Sequence, residues 1–245
     1  MRIRTNKRTF IVTAVASLLL AIIQSPTSRA VSTSPIVYTA TMPKAHIPSA
    51  PNGGTDDYRC FLIDPSVKQD SLITSVKFLP QRKVLWHHAI LFQVGQKDLA
   101  EAIKLDNNGT GWPCFGGTGM GSSFASFLTS PWLSSWAPGR DTDVMPSGYA
   151  TPFKKGDRLI MQVHYNLLLA TMGMKVADQS KVEITTVPAK NSTLKTLYGD
   201  MVAAPVELAC PPGVTGDLCD RGKSLTDLGI RTSTGSAFEA AGLNL

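Results

Sequence analysis

Five short runs of apolar and β-branched residues, set apart by turn formers, constrain this chain more than any other feature. Residues 58–63, 71–79, 84–94, 159–167 and 181–187 are rich in Val, Ile, Phe and Tyr, and Gly, Pro, Asp and Asn fill the gaps between them. One stretch, 97–105, has helical character, and it is short. Many short strands with little helix point to an all-β fold, an antiparallel sandwich or barrel, rather than a doubly wound sheet. The chain has 245 residues, 43% of them hydrophobic and 17% charged. That is enough apolar content for a core and too little charge for a disordered tail. The length allows one generous β domain, or one domain plus a fragment of another.

The N-terminus reads as an export signal spanning residues 1–30. Arg2, Arg4, Lys7 and Arg8 form a basic start, an apolar run extends from Phe10 to Ile23, and Ser28-Arg29-Ala30 places small residues where a signal peptidase inspects them. The apolar run falls short of the roughly 20 residues that span a bilayer. The net charge of +6 belongs mostly to this segment, which holds five basic residues and no acidic one. The remainder carries 19 Lys and Arg against 18 Asp and Glu, a net charge of +1. A basic surface for DNA or RNA therefore has no support. No other long apolar run follows, so the mature chain is expected to be soluble and secreted or periplasmic.

Export determines how the cysteines are read. Cys60, Cys114, Cys210 and Cys219 are an even number in an oxidising compartment, which favours disulfides, and four cysteines allow three pairings. No CxxC is present to suggest a zinc ribbon. Pairing Cys60 with Cys114 and Cys210 with Cys219 respects the organisation of the chain, which is read as follows. A Pro- and Ser-rich extended lead occupies 31–55, and the β domain occupies 56–190. The stretch 107–148 is loop-rich, and its Gly116-Gly117-Thr118-Gly119-Met120-Gly121-Ser122-Ser123 run lacks the Lys and the spacing of a phosphate loop. Pro188 should end the last strand, Ala189-Lys190-Asn191-Ser192-Thr193 reads as a polar hinge, and 191–245 resembles the opening of a second domain that then stops. Its exposed edge could pair with another chain, a route to self-association.

Three of the four histidines lie in apolar strands. His87 and His88 sit in Val84-Leu85-Trp86-His87-His88-Ala89-Ile90-Leu91-Phe92, and His164 sits in Leu159-Ile160-Met161-Gln162-Val163-His164-Tyr165-Asn166. A buried imidazole has two ring nitrogens to satisfy, so local hydrogen bonding in the core is the bland account of each one. An adjacent pair plus a third ring in another strand points instead to a three-imidazole metal site. Neighbouring strand side chains point to opposite faces. One ion can take both rings of the pair only where the strand twists or bulges, or where the rings approach from nearly opposite sides in a planar or T-shaped arrangement. Imidazole with a low, planar coordination number suits copper better than zinc. His46, in Pro43-Lys44-Ala45-His46-Ile47-Pro48, is expected to be a solvated loop residue.

The ordered set Asp56-Asp57-Tyr58-Arg59-Cys60, His87-His88-Ala89-Ile90-Leu91-Phe92, Cys114, Met145-Pro146-Ser147-Gly148-Tyr149-Ala150, Gly156-Asp157 and Gln162-Val163-His164-Tyr165 resembles the N-terminal domain of the type II copper, ascorbate-dependent monooxygenases, over roughly 58–187. Peptidylglycine α-hydroxylating monooxygenase and dopamine β-hydroxylase are familiar members. The resemblance implies an antiparallel jelly-roll β-sandwich. It implies that His87, His88 and His164 are the ligands of an electron-transfer copper, and that Cys60 and Cys114 are a disulfide. It also implies hydroxylation of an aliphatic C–H bond with O2, with ascorbate as the small-molecule reductant. The family's second copper needs a His-x-His pair and a Met, and no histidine follows His164 in this sequence. Met172, Met174 and Met201 therefore lack an imidazole partner in that region. The expectation is an exported copper protein, with no hydroxylase activity of its own and no catalytic residue to assign. A copper storage or electron-transfer module is the alternative. A zinc hydrolase using the same imidazoles lacks a telling carboxylate, and no Gly-x-Ser-x-Gly is present for acyl transfer.

Overall fold

The computed structural model describes residues 34–51, 54–115, 117–121, 132–168, 175–199, 210–220, 222–223 and 226. The export signal, part of the glycine run, Met172, Met174 and Met201 lie outside these. In chain order the strands are β1 Ile36–Thr41, β2 Asp56–Ile63, β3 Ser71–Leu79 and β4 Trp86–Val94. After helix α1, Leu99–Leu105, come β5 Trp112–Pro113, β6 Trp132–Trp136, β7 Thr142–Val144, β8 Tyr149–Phe153, β9 Arg158–Asn166, β10 Lys181–Pro188 and β11 Lys195–Thr196. They form two sheets, β1-β10-β3-β8-β11 with β7 also on β3, and β5-β2-β9-β4-β6. The fold is all-β, as the strand pattern predicted. All five sequence-read strands form, with ends that move by one or two residues, and Pro188 is the last residue of its strand.

The main core lies between the sheets. Ala40, Ile73, Val76, Phe78, Val182 and Ile184 from the first sheet meet Phe61, Ile63, Leu91, Leu159, Met161 and Val163 from the second in one buried cluster. Each of these side chains other than Ala40 contributes about 1.5–3 kcal/mol of transfer free energy. The second sheet is also covered on its other face. Cys60, Ile90, Phe92, Val94 and Ile160 pack there beneath Ala102 of α1, Trp112 and Cys114. Burial on both faces explains why β4 and β9 read as nearly continuous apolar runs. Disulfides join Cys60 to Cys114 and Cys210 to Cys219, the pairing expected from the chain's organisation.

Three details depart from the sequence reading. The lead is extended, but 36–41 form an edge strand antiparallel to β10, with Ile36 opposite Thr186 and Thr41 opposite Lys181. Alternating Tyr38 and Ala40 toward the core gives that segment a buried face the Pro and Ser content concealed. The 107–148 stretch contains short strands, with Thr142–Val144 antiparallel to β3 and Trp132–Trp136 to β4. Sheet pairing is not wholly antiparallel, because Lys195–Thr196, just past the polar hinge, lie parallel to Tyr149–Ala150. Asn191, inside that hinge, takes a left-handed backbone at φ 62°, which Asn tolerates better than most residues.

Candidate metal centre

The second sheet builds the site through its register. Along β9, Leu159, Met161, Val163 and Tyr165 face the main core, so Ile160, Gln162 and His164 face outward. His88 of β4 lies opposite His164, and Trp86 lies opposite Tyr165. Between those two pairs β4 holds one residue more than β9, so His87 is the inserted residue of a β-bulge. Trp86 and Ala89 both face the main core. The two residues between them, His87 and His88, are thus left together on the outer face. Of the two arrangements that could bring neighbouring rings to one ion, the bulge is the one present.

The three rings converge. One ring nitrogen from each of His87, His88 and His164 lies within 4.8 Å of the others. His88 Nδ1 is 3.1 Å from His87 Nδ1 and 3.3 Å from His164 Nδ1. His164 is buried, His88 half-buried and His87 exposed, so the cluster opens to solvent on the His87 side. Behind His164, Asp56 Oδ1 lies 2.7 Å from Nε2. A carboxylate accepts and does not donate, so Nε2 carries the proton and Nδ1 presents its lone pair to the cluster. Tyr58, opposite His164 on β2, stacks on its ring with centroids 4.0 Å apart and planes 14° apart. Phe115, next to disulfide-bonded Cys114, packs edge-on against Tyr58 at 4.7 Å.

Burial and the neighbouring rings disfavour the charged forms of His88 and His164. Burial, then the proximity of His164 and His87, pushes the His88 imidazole down to about 4. Burial also lowers His164, against the hydrogen bond and charge of Asp56. With His88 neutral, at most one proton on its Nδ1 is available to serve two short N···N contacts. A cation that accepts a lone pair from each ring would resolve that shortage. Ions held by imidazole at about 2.0–2.1 Å place ligand nitrogens roughly 3–4 Å apart, the spacing of the two short contacts here. The donor set is three imidazoles with a carboxylate on the far nitrogen of one, and it fits a transition metal.

His46 is not a solvated loop residue. Its side chain is 11% exposed, Nε2 lies 2.8 Å from Asp57 Oδ2, and the ring packs against Phe61 and Tyr165. It belongs to the inner face of the sheet and has no place in the metal cluster. Asp56 and Asp57, adjacent in β2, turn to opposite faces and each meets a histidine. The roles of Asp56 and Tyr58 at the site were not read from sequence. The signal was available in the alternation of β2, because Asp56, Tyr58 and Cys60 share one face, but only the register with β9 shows which partner they meet.

Fold and site together define a two-sheet β protein with two disulfides and a three-imidazole cluster able to hold a metal ion. No protein-family model matches the chain, and no curated protein matches it.

Proposed function

We propose that this chain is an exported copper-binding protein whose His87, His88 and His164 hold one copper ion as an electron-transfer or storage centre. The observation that carries the reading is the β4 bulge, which sets two consecutive imidazoles beside a third, with Asp56 fixing the tautomer of His164. A copper ion held by His87, His88 and His164 would supply one-electron exchange with a small-molecule reductant, for which the sequence resemblance points to ascorbate. The protein's part is to hold three lone pairs in place before the ion arrives. Asp56 keeps the proton on the far nitrogen of His164, Tyr58 braces the ring, and burial keeps His88 unprotonated, so protons compete poorly for the ligand nitrogens.

The two-sheet architecture supports a jelly-roll sandwich of the copper monooxygenase type. Within residues 1–245 no histidine follows His164, so the imidazole ligands of a second copper are not found in this stretch. Export with cleavage after Ala30 is supported by the basic and apolar N-terminus and by two disulfides. No helix among the described residues is long and apolar enough to cross a membrane.

Metal analysis tests the reading. Purified protein should carry one copper per chain, and His164→Ala should lose it while keeping the β-sheet circular dichroism of the parent. Zinc alone, or a metal content indifferent to that substitution, would overturn the assignment. Ascorbate and O2 should yield no hydroxylated product with this chain alone, and coupled O2 consumption with product formation would refute that part.

A further inference from the structure

Directly beneath the histidines, on the inner face of the same sheet, lies a fully buried carboxylate that the metal-binding reading does not use. Asp178 Oδ2 accepts hydrogen bonds from Trp86 Nε1 and from the Tyr165 hydroxyl, each at 2.9 Å, and Oδ1 accepts from Ser180 Oγ at 2.7 Å. Its backbone is fixed as well, through a two-way bridge to His46 with N···O distances of 2.9 and 2.8 Å. A buried carboxylate is costly even when satisfied, and among the uses of buried polar groups the specification of register is the best attested.

The register here is unusual where Asp178 acts. Trp86 and Tyr165 face each other across β4 and β9, and they form the pair that follows the bulge. Regular pairing continued from His88 and His164 would set His87 opposite Tyr165. It would turn His87 into the core and Trp86 outward, because a one-residue slip exchanges the two faces of a strand. The indole N–H and the phenol O–H reach the same carboxylate oxygen only while both side chains point inward. We propose that Asp178 is a positioning residue for the metal centre: by binding Trp86 and Tyr165 together it locks β4 into the bulged register, and that register delivers His87 to the cluster outside. The importance of this to metal binding rests on the reading above, whereas the register itself can be observed without metal.

Full-length Asp178→Ala, which removes both acceptor oxygens, is the primary test, with Trp86→Phe and Tyr165→Phe each deleting one donor to Oδ2 should the first variant fail to fold. Cross-strand nuclear Overhauser contacts in the metal-free protein report the register. The parent should show Trp86 against Tyr165, and the variants should show a population with His87 against Tyr165. Copper(II) added to the same samples should be coordinated by three imidazoles in the parent and by two in the variants on pulsed electron paramagnetic resonance, with affinity about 10–100-fold weaker. If every folded variant keeps the Trp86–Tyr165 contacts, three imidazoles and the parent affinity, the clamp is refuted and metal binding stands. If the register shifts but the parent takes up no copper, the clamp stands and the metal reading falls.

Discussion

His164 shows how one side chain acquires a role from its surroundings. Its neighbours Val163 and Tyr165 face the core, so it must face outward, where Asp56 and Tyr58 hold the ring and His88 lies opposite. Removing the carboxylate should loosen the ligand without disturbing the core. Asp56→Ala is expected to weaken copper binding about 10–100-fold in a chelator competition, and Asp56→Asn, which can still accept from Nε2, by less. Equal affinity in all three proteins would show that the contact does not orient the ligand. The lowered His88 and His164 also make stability pH-dependent. In the unfolded chain both titrate near 6.5. Between there and about 4 the unfolded chain takes up protons that folded His88 refuses. The metal-free protein should therefore be most stable above about pH 6.5 and weaken as pH falls toward 4. Urea midpoints measured across that window should fall with pH, and His88→Ala should flatten the slope; an unchanged slope in that variant would count against the assignment.

At the scale of elements, β2 links the site to its cover. Tyr58 stacks on His164, and two residues along the same face Cys60 is bonded to Cys114, whose neighbour Phe115 returns to pack on Tyr58. The disulfide closes a sequence separation of 54 residues. On the chain-entropy account, breaking it should destabilise the fold by about 4 kcal/mol. The paired change Cys60→Ala with Cys114→Ala should lower the denaturant midpoint by that equivalent, and a loss under about 1 kcal/mol would show that the covalent link constrains little. Strands β2, β3, β4, β9 and β10 were legible because their apolar runs are long enough to reveal a buried face. Strands β5, β7 and β11 were not, since two or three residues carry no period and depend on a neighbour for their hydrogen bonds. The bulge was legible only as one of the alternative ways of bringing His87 and His88 to one ion.

For the molecule as a whole, the core and the site occupy different faces of one sheet. The main cluster fills the space between the sheets, while the three imidazoles lie outside it. Folding should therefore not depend on metal, unlike small domains in which binding supplies the folding free energy. Treating the copper-loaded protein with a chelator should leave a cooperative thermal transition and an unchanged far-ultraviolet spectrum, with only the mass-action part of the melting temperature lost. Collapse of the fold on chelation would contradict the separation of core and site. Phe61→Ala, by contrast, deletes a ring with 0% exposure from the centre of the core and should cost about 3–5 kcal/mol.

The sequence by itself determined that this chain is all-β and that His87, His88 and His164 are candidates for one cluster, and among three possible cysteine pairings it favoured Cys60–Cys114 with Cys210–Cys219, which the tertiary structure then fixed. Those properties follow from local composition, strand patterning and separation along the chain. The tertiary structure decided which way each ring faces, that Asp56 stands behind His164, and that His46 turns inward to Asp57. The reason is that the side-chain period of a strand fixes alternation but not its phase. Phase is set by one inserted residue in β4, and by the partners across the sheet that make the insertion stable.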